Sequence, residues 1–234
     1  MRIGFAGIYH LAVFGLLIPY AAIKSGRKLN ARPLPPKVRH FTSTIIILTF
    51  FFAISWLVGI REWITVFPRQ IPSGRSIAIG AAALVGMITL MRPLWRKRVA
   101  ERARKAWLFM PRTPRERLLW IGCSVAAGIS EEVTYRGVMF ALLWRLTGSG
   151  MIAAALAALV FSISHFLQGW KSMAIIFAIA LVFQGLWFLS GSLYLGMAVH
   201  ALYDVAAGFF YGKYGEELSY PLEPLPPEAP PAVA

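Results

Sequence analysis

Long apolar runs are the feature that most limits what this 234-residue chain can fold into. Runs of about 18 or more apolar residues recur along it, and each can cross the hydrocarbon core of a bilayer. Hydrophobic residues make up 58% of the chain and charged residues 15%, and a soluble protein of this size has no interior that could bury them all. We therefore predict an all-α, polytopic transmembrane helix bundle.

About seven spans can be drawn from the apolar runs. They cover residues 4–23, 41–60, 76–95, 114–147, 151–167, 172–189 and 192–211. The fourth is longer than a bilayer requires, so we expect it to begin as a surface helix. Residues 1–212 should form a single bundle. The acidic, Pro-rich segment 213–234 lacks the apolar surface needed to fold and is predicted to be disordered.

Positive charge, +14 overall, is concentrated in two segments, 24–39 and 92–117, which flank predicted spans. Basic loops alternate with loops that carry few cations. The positive-inside rule therefore predicts an N-terminus outside and a cytoplasmic C-terminus. We expect an integral membrane protein surrounded by lipid bilayer, in a prokaryotic cytoplasmic (inner) membrane. A nucleic-acid partner is not expected, because that function favours basic residues interleaved with aromatic ones on a folded surface.

Six ionisable residues lie inside the last four predicted spans. They are Glu131, Glu132, Arg136, His165, His200 and Asp204. A charged side chain at the bilayer centre costs about 2.5–3.5 kcal/mol on insertion scales, so such residues usually mark a functional site in the bundle interior. We predict an active site formed by the four C-terminal helices. His10, in the first span, is left without a role, since a lone histidine is more often an interhelical contact.

The spacing of these residues indicates which of them meet. Glu132 and Arg136 are four residues apart, so they share a helix face and can form an ion pair. Glu131 is rotated by about 100° from Glu132 on the helical period. It is expected to share a neighbouring face with Tyr135 and to remain outside that ion pair.

The other two helices also present polar groups at helical spacing. His200 and Asp204 are four residues apart, and Phe161 lies four residues before His165. A free carboxylate beside an imidazole can hold and deprotonate a water molecule, and a second imidazole can stabilise the oxyanion that follows. Each pair alone is equally compatible with polar contacts that only hold helices together.

Three motifs of this chain resemble those of the CPBP family (CAAX protease and bacteriocin-processing, or Abi), over about residues 117–210. The motifs are Glu131-Glu132-x-x-x-Arg136-Gly137, Phe161-x-x-x-His165 and His200-x-x-x-Asp204. The family contains type II CAAX prenyl endopeptidases and bacteriocin-processing relatives. The resemblance implies an intramembrane endopeptidase acting on membrane-associated or lipidated proteins, in CAAX-type or in sorting- or leader-type processing.

The resemblance also implies roles for individual residues. Glu131 would activate the water and His165 would assist it, while His200 and Asp204 would form the oxyanion hole. Many CAAX-related members carry Asn at the position of Asp204. Zinc is an alternative, because these four side chains together offer two nitrogen and two oxygen ligands. We favour the mechanism without a metal or other cofactor.

Glu132 and Arg136 are expected to support the site rather than to react. Two further functions remain open on the residues alone. The first is a non-enzymatic membrane protein on the same scaffold, such as a bacteriocin-immunity or partner-binding factor. The second is a small transporter or proton channel, which the lack of an inverted repeat in the sequence disfavours.

Overall fold

The computed structural model describes residues 3–30 and 32–227, and these residues are helical without any β-strand. The prediction of an all-α bundle is therefore confirmed. The helices are α1 (Phe5–Ala12), α2 (Ile18–Asn30), α3 (Lys37–Arg61), α4 (Gly74–Ala100), α5 (Pro114–Glu131), α6 (Phe140–Thr147), α7 (Gly150–Ser164), α8 (Trp170–Ser190) and α9 (Tyr194–Glu217). The π-helical segments Val13–Leu17 and Glu132–Met139 join α1 to α2 and α5 to α6.

Four stretches of the described chain are long and apolar enough to cross a membrane. They are Phe5–Gly26, Lys37–Arg61, Gly74–Ala100 and Trp170–Ser190. Large apolar side chains on these helices face outward, among them Leu16, Phe50 and Leu90. This outward apolar surface is expected of a bundle in contact with lipid, since a monomeric soluble protein rarely exposes such a large contiguous apolar surface. The other predicted spans correspond to α5–α6, α7 and α9, which are shorter or carry the polar residues.

The start of α5 is fixed by a capping box. The Thr113 side chain accepts a hydrogen bond from the Glu116 backbone, the Glu116 side chain accepts one from the Thr113 backbone, and Pro114 occupies the first helical turn. Both groups satisfy amides that a helix start leaves unpaired. The Glu116 carboxylate also lies 3.6 Å from Lys37 Nζ. This end of α5 is therefore tied to the start of α3.

Helices α5 and α9 approach each other closely through glycine. A Cβ atom at Gly128 would lie 2.7 Å from the Met197 carbonyl oxygen, so only glycine allows this contact without a shift of the backbone. Small residues commonly permit such approaches between membrane helices. Nearer the start of α5, Trp120 Nε1 donates to the Asp204 carbonyl oxygen over 2.9 Å. The two contacts set α9 along α5, which ends at the first of the paired glutamates.

The C-terminal segment differs from the disorder predicted from its composition. Helix α9 continues to Glu217, beyond the expected boundary at residue 212. Tyr220 is buried, and Trp107 Nε1 donates to the Leu222 carbonyl oxygen over 2.9 Å. Arg104 donates to the Leu225 carbonyl oxygen over 2.8 Å. The segment is held by side chains of the α4–α5 connection, which its own composition does not indicate. Residues 228–234 lie outside the described residues.

One buried carboxylate that the sequence analysis overlooked joins three helices. Glu62, after the end of α3, is 5% exposed. Its carboxylate accepts hydrogen bonds from the backbone amides of Gly4 at 3.1 Å and Gly7 at 2.7 Å. These amides belong to the start of α1, where the helix dipole favours a negative charge. Arg145 of α6 lies 3.5 Å from the same carboxylate.

We expect Glu62→Ala to destabilise the bundle, because it leaves the α1 amides and Arg145 without their buried partner. Hydrogen bonds to charged groups contribute about 1.5–3 kcal/mol each. The thermal unfolding midpoint in detergent micelles should fall clearly below that of the wild type. Glu217→Ala is the matched control, since Glu217 forms an exposed pair with Lys213. Equal midpoints for the two variants would contradict the role assigned to Glu62.

Candidate active site

The imidazole of His200 lies at the centre of the polar cluster. Its Nδ1 donates to Glu132 Oε1 over 2.9 Å. On the opposite side of the ring, Nε2 lies 3.7 Å from Glu131 Oε2 and 3.7 Å from Asp204 Oδ2. One ring from α9 therefore faces both consecutive glutamates at the α5 junction, although an ideal α-helix would separate their directions by about 100°.

Glu132 and Arg136 form the ion pair that their spacing predicts. Arg136 Nη1 lies 3.2 Å from Glu132 Oε1, and the two side chains are 2% and 1% exposed. The guanidinium also lies over the Phe161 ring, 4.2 Å from its centroid, and 5.4 Å from that of Phe183. These cation–π contacts are stronger where the cation is desolvated. The Glu132 carboxylate thus binds Arg136 on its own helical segment and His200 on α9.

His165 follows the last residue of α7 and does not lie within the helix. The apolar run predicted a span over residues 151–167, whereas α7 ends at Ser164 and a 3₁₀ turn follows. His165 Nδ1 donates to the Phe161 carbonyl oxygen over 2.8 Å. Because a carbonyl can only accept, the neutral ring presents the Nε2 lone pair on its other side. That nitrogen lies 3.9 Å from Glu131 Oε2.

Tyr135 has a hydrogen-bond partner that its helical spacing did not indicate. Its hydroxyl donates to Ser164 Oγ of α7 over 3.2 Å. Its ring packs edge-on against Phe161. Residues 132–139 are π-helical, which changes the angular spacing that an α-helical period assumes. Tyr135 therefore braces α7 beside His165.

A cavity of about 340 Å³ opens beside these groups. Its wall includes Glu131, His165, His200 and Asp204. Aliphatic side chains of α4 and α8 and several aromatic rings complete it, among them Met91, Leu94, Trp120, Ile175, Ile176 and Ile179. Toward the end where α4 stops and α8 begins, the wall carries three cations and one carboxylate, namely Lys97, Arg98, Lys171 and Glu101. The cavity thus combines an apolar wall, a polar cluster and a cationic end.

Two residues near the cluster were missed by the sequence analysis. Phe183 of α8 stacks on His200, with ring centroids 4.8 Å apart and planes inclined by 16°. Because Phe183 lies in an apolar run, the sequence gives no indication of this contact with His200. A Cβ atom at Gly196 would lie 3.1 Å from Glu132 Oε2. This glycine lies one helical turn before His200, so the small residue on that face was visible in the sequence.

The possible zinc ligands do not form a metal site in this arrangement. In the part of the chain that the structure describes, no group of three or more His, Cys, Asp or Glu side chains has suitable geometry for holding a metal ion. Among the four candidate ligands, the carboxylate oxygens lie 3.7–3.9 Å from the imidazole nitrogens, wider than the separation of ligands around a tetrahedral zinc with bonds of about 2 Å.

We expect Arg136→Met to reduce stability by about 3–5 kcal/mol, because it leaves the Glu132 carboxylate buried without its cation. The double variant Glu132→Gln/Arg136→Met should recover part of this loss, since it removes the unpaired charge. Thermal unfolding midpoints in detergent micelles measure the loss in the single variant and the recovery in the double variant. Arg117→Met, which breaks the exposed pair with Glu216, serves as the control. A double variant no more stable than the single one would argue against the ion pair.

Comparison with known proteins places this cluster within one family. Residues 113–206 match the family described as Type II CAAX prenyl endopeptidase Rce1-like. The match begins at the capping residue Thr113 and ends just beyond Asp204, so it contains all six polar residues. No curated protein and no solved structure matches the chain significantly. The resemblance predicted from the three motifs is confirmed by this match, which covers the segment that builds the site.

Proposed function

We propose that this protein is an intramembrane endopeptidase that hydrolyses peptide bonds of membrane-associated or lipidated proteins. The observation that carries the proposal is the position of the Glu131 carboxylate. It lies 3.9 Å from His165 Nε2 and 3.7 Å from His200 Nε2 on the wall of the cavity. A carboxylate between two imidazoles beside an accessible cavity provides the groups that activate water for attack on a carbonyl.

Water activation follows from these distances. They exceed a direct hydrogen bond, and polar groups at such separations are commonly joined by a bridging water. Glu131 accepts a proton from that water as its oxygen attacks the scissile carbonyl carbon. The lone pair on His165 Nε2 accepts a second hydrogen bond from the same water and orients it. A new C–O bond forms, and the carbonyl oxygen becomes an oxyanion.

His200 stabilises the oxyanion. Three carboxylates surround its ring, an environment suited to the imidazolium, in which both nitrogens carry protons. Nδ1–H then donates to Glu132, and Nε2–H faces the cavity, where it can donate to the oxyanion. Asp204, 3.7 Å from Nε2, orients that proton and balances the charge of the ring. Collapse of the intermediate breaks the C–N bond. The proton held by Glu131 passes to the departing nitrogen, which leaves as an amine, and the new carboxyl group leaves with the other product.

The cavity favours a short extended segment as the substrate. A helix with its side chains is about 10–12 Å across, and its carbonyls are already hydrogen-bonded. An attacked bond must therefore lie in an extended or unwound stretch. The apolar wall suits a hydrophobic or lipidated part of the substrate. The cationic end coincides with the basic segments, which we assign to the cytoplasm of a prokaryotic inner membrane, with the N-terminus outside. CAAX-type tails and sorting or leader segments both meet these requirements.

A non-enzymatic role, such as immunity or partner binding, is the alternative function on this scaffold. It would use the same six residues only as polar contacts between helices. The different environments of Glu131 and Glu132 favour catalysis. Glu132 is 1% exposed and is paired with Arg136 and His200, whereas Glu131 is 17% exposed and faces the cavity. A purely structural pair would not require one carboxylate to remain accessible.

Glu131→Gln should abolish proteolysis, because the amide cannot accept the proton of the attacking water. We expect cleavage of a synthetic prenylated peptide ending in a Cys-aliphatic-aliphatic-X sequence to fall by at least about 10²-fold. Mass spectrometry of the products measures the rate in micelles. Glu217→Gln, an exposed glutamate at the end of α9, is the control. Wild-type-like cleavage by folded Glu131→Gln protein would exclude the proposed base.

Chelation tests the mechanism without a metal. We expect cleavage of the same peptide to be unchanged after incubation with EDTA or 1,10-phenanthroline, since Glu131 and His165 activate the water directly. Elemental analysis of the purified protein should accompany the assay. Activity lost on chelation and restored by zinc would contradict this mechanism and would assign the four cavity-lining side chains to a metal.

A further inference from the structure

His10 is a buried titratable residue that the proposed mechanism does not use. It lies in α1, outside the segment 113–206 that matches the family, and it is 0% exposed. Burial of an imidazole in a membrane span is costly unless its polar atoms are bonded. Its Nε2 lies 3.2 Å from Ser55 Oγ on α3, and its Nδ1 has no hydrogen-bond partner among the described residues. The Ser55 contact is therefore what accommodates this ring.

The contact with Ser55 continues to the catalytic segment. Ser55 Oγ is hydrogen-bonded to Thr134 Oγ1 over 2.9 Å, and both residues are buried. Thr134 belongs to the π-helix Glu132–Met139 and lies two residues after Glu132. A chain of three side chains thus leads from the first span, through the second, to the backbone that carries Glu131 and Glu132.

A π-helical segment requires support from outside itself. Such segments are rare, mostly single turns, and are frequent at functional sites. This one is eight residues long and fully buried, so its register depends on contacts made by its side chains. Thr134 is hydrogen-bonded to Ser55 of α3, and Glu132 to His200 of α9. These two bonds hold the segment to two different neighbouring helices.

Packing provides a second connection between α1 and the site. The His10 ring lies 4.7 Å from that of Phe14. Phe14 is completely buried in one apolar cluster with Tyr135, Met139 and Phe161. Tyr135 and Met139 belong to the same π-helix as Thr134, and Phe161 packs against His165. Displacement of His10 would therefore disturb the π-helix through both its hydrogen bond and its ring.

We propose that His10 is a positioning residue, which acts through Ser55 and Thr134 to hold the π-helix in the register that presents Glu131 and Glu132 to His200. It touches neither the cavity nor the reacting groups. Its removal therefore lowers the rate of the chemical step and leaves substrate binding intact. This inference deepens the proposed function and rests on it for its kinetic consequences, whereas the link from His10 to His200 is independent of any activity.

The kinetic experiment compares His10→Leu with Ser55→Ala and Thr134→Val, using the prenylated peptide as the substrate. Each variant should lower kcat by roughly tenfold or more with little change in KM, since small displacements of catalytic groups are costly. Combining His10→Leu with Thr134→Val should cost no more than the larger single effect, because both break one chain. His10→Gln, which keeps a hydrogen-bonding group near Ser55, should restore most of the rate.

The control for the kinetic series is Thr49→Val. Thr49 lies on α3 with Ser55, but it is exposed and bonds only within its own helix, so its kcat should equal that of the wild type. If His10→Leu fails to fold, the Ser55 and Thr134 variants decide the matter. Normal kcat in the folded variants, or additive losses in the double variant, would overturn the proposal.

A second measurement does not depend on proteolysis. The chain contains only four histidines, so the ring ¹⁵N signals of labelled protein in micelles can be assigned by single substitutions. Thr134→Val should shift the His200 ring signals while leaving those of His40 unchanged, because His40 lies at the start of α3, away from the network. If the His200 signals do not move, the proposal fails. If they move while the wild type does not cleave the peptide, the positioning link stands and the proposed function fails.

Discussion

The buried Glu132 carboxylate is the group on which the arrangement of the site depends. It is 1% exposed, and it lies 3.2 Å from Arg136 and 2.9 Å from His200 Nδ1. An unpaired charge so deeply buried would be strongly destabilising. Both partners must therefore remain in place whenever the bundle is folded. Since one partner is on the same helical segment and the other on α9, this carboxylate also fixes which edge of the His200 ring faces Glu131 and the cavity.

The π-helix explains how two consecutive glutamates acquire different environments. Glu131 ends α5 and faces the cavity, while Glu132 begins the π-helix and is enclosed by protein. Enzymes that assign separate roles to two carboxylates usually do so by giving them different surroundings. Here the change from α-helix to π-helix gives different surroundings to two carboxylates on adjacent residues. The contacts that hold the π-helix in register, including that of Thr134 with Ser55, therefore matter as much as the side chains that line the cavity.

Predictions based on local spacing succeeded, and those that needed distant contacts did not. The ion pair of Glu132 and Arg136 was predictable because helical periodicity brings residues four apart together. Glu62 was not, because its partners come from helices distant in sequence. The same holds for residues 218–227, whose composition suggests disorder although side chains of the α4–α5 connection hold them.

The sequence by itself determined the membrane class, the helical architecture and the six polar residues, because apolar length and the cost of buried charge act locally along the chain. The three motifs identified the family, which the match over residues 113–206 confirms. Only the tertiary structure decided that Glu132 would be enclosed by Arg136 and His200 while Glu131 faced the cavity. It also decided that His10 would connect through Ser55 to the π-helix. Those outcomes depend on how α1, α3 and α9 pack around the π-helix, and packing between distant segments is not encoded in any local period.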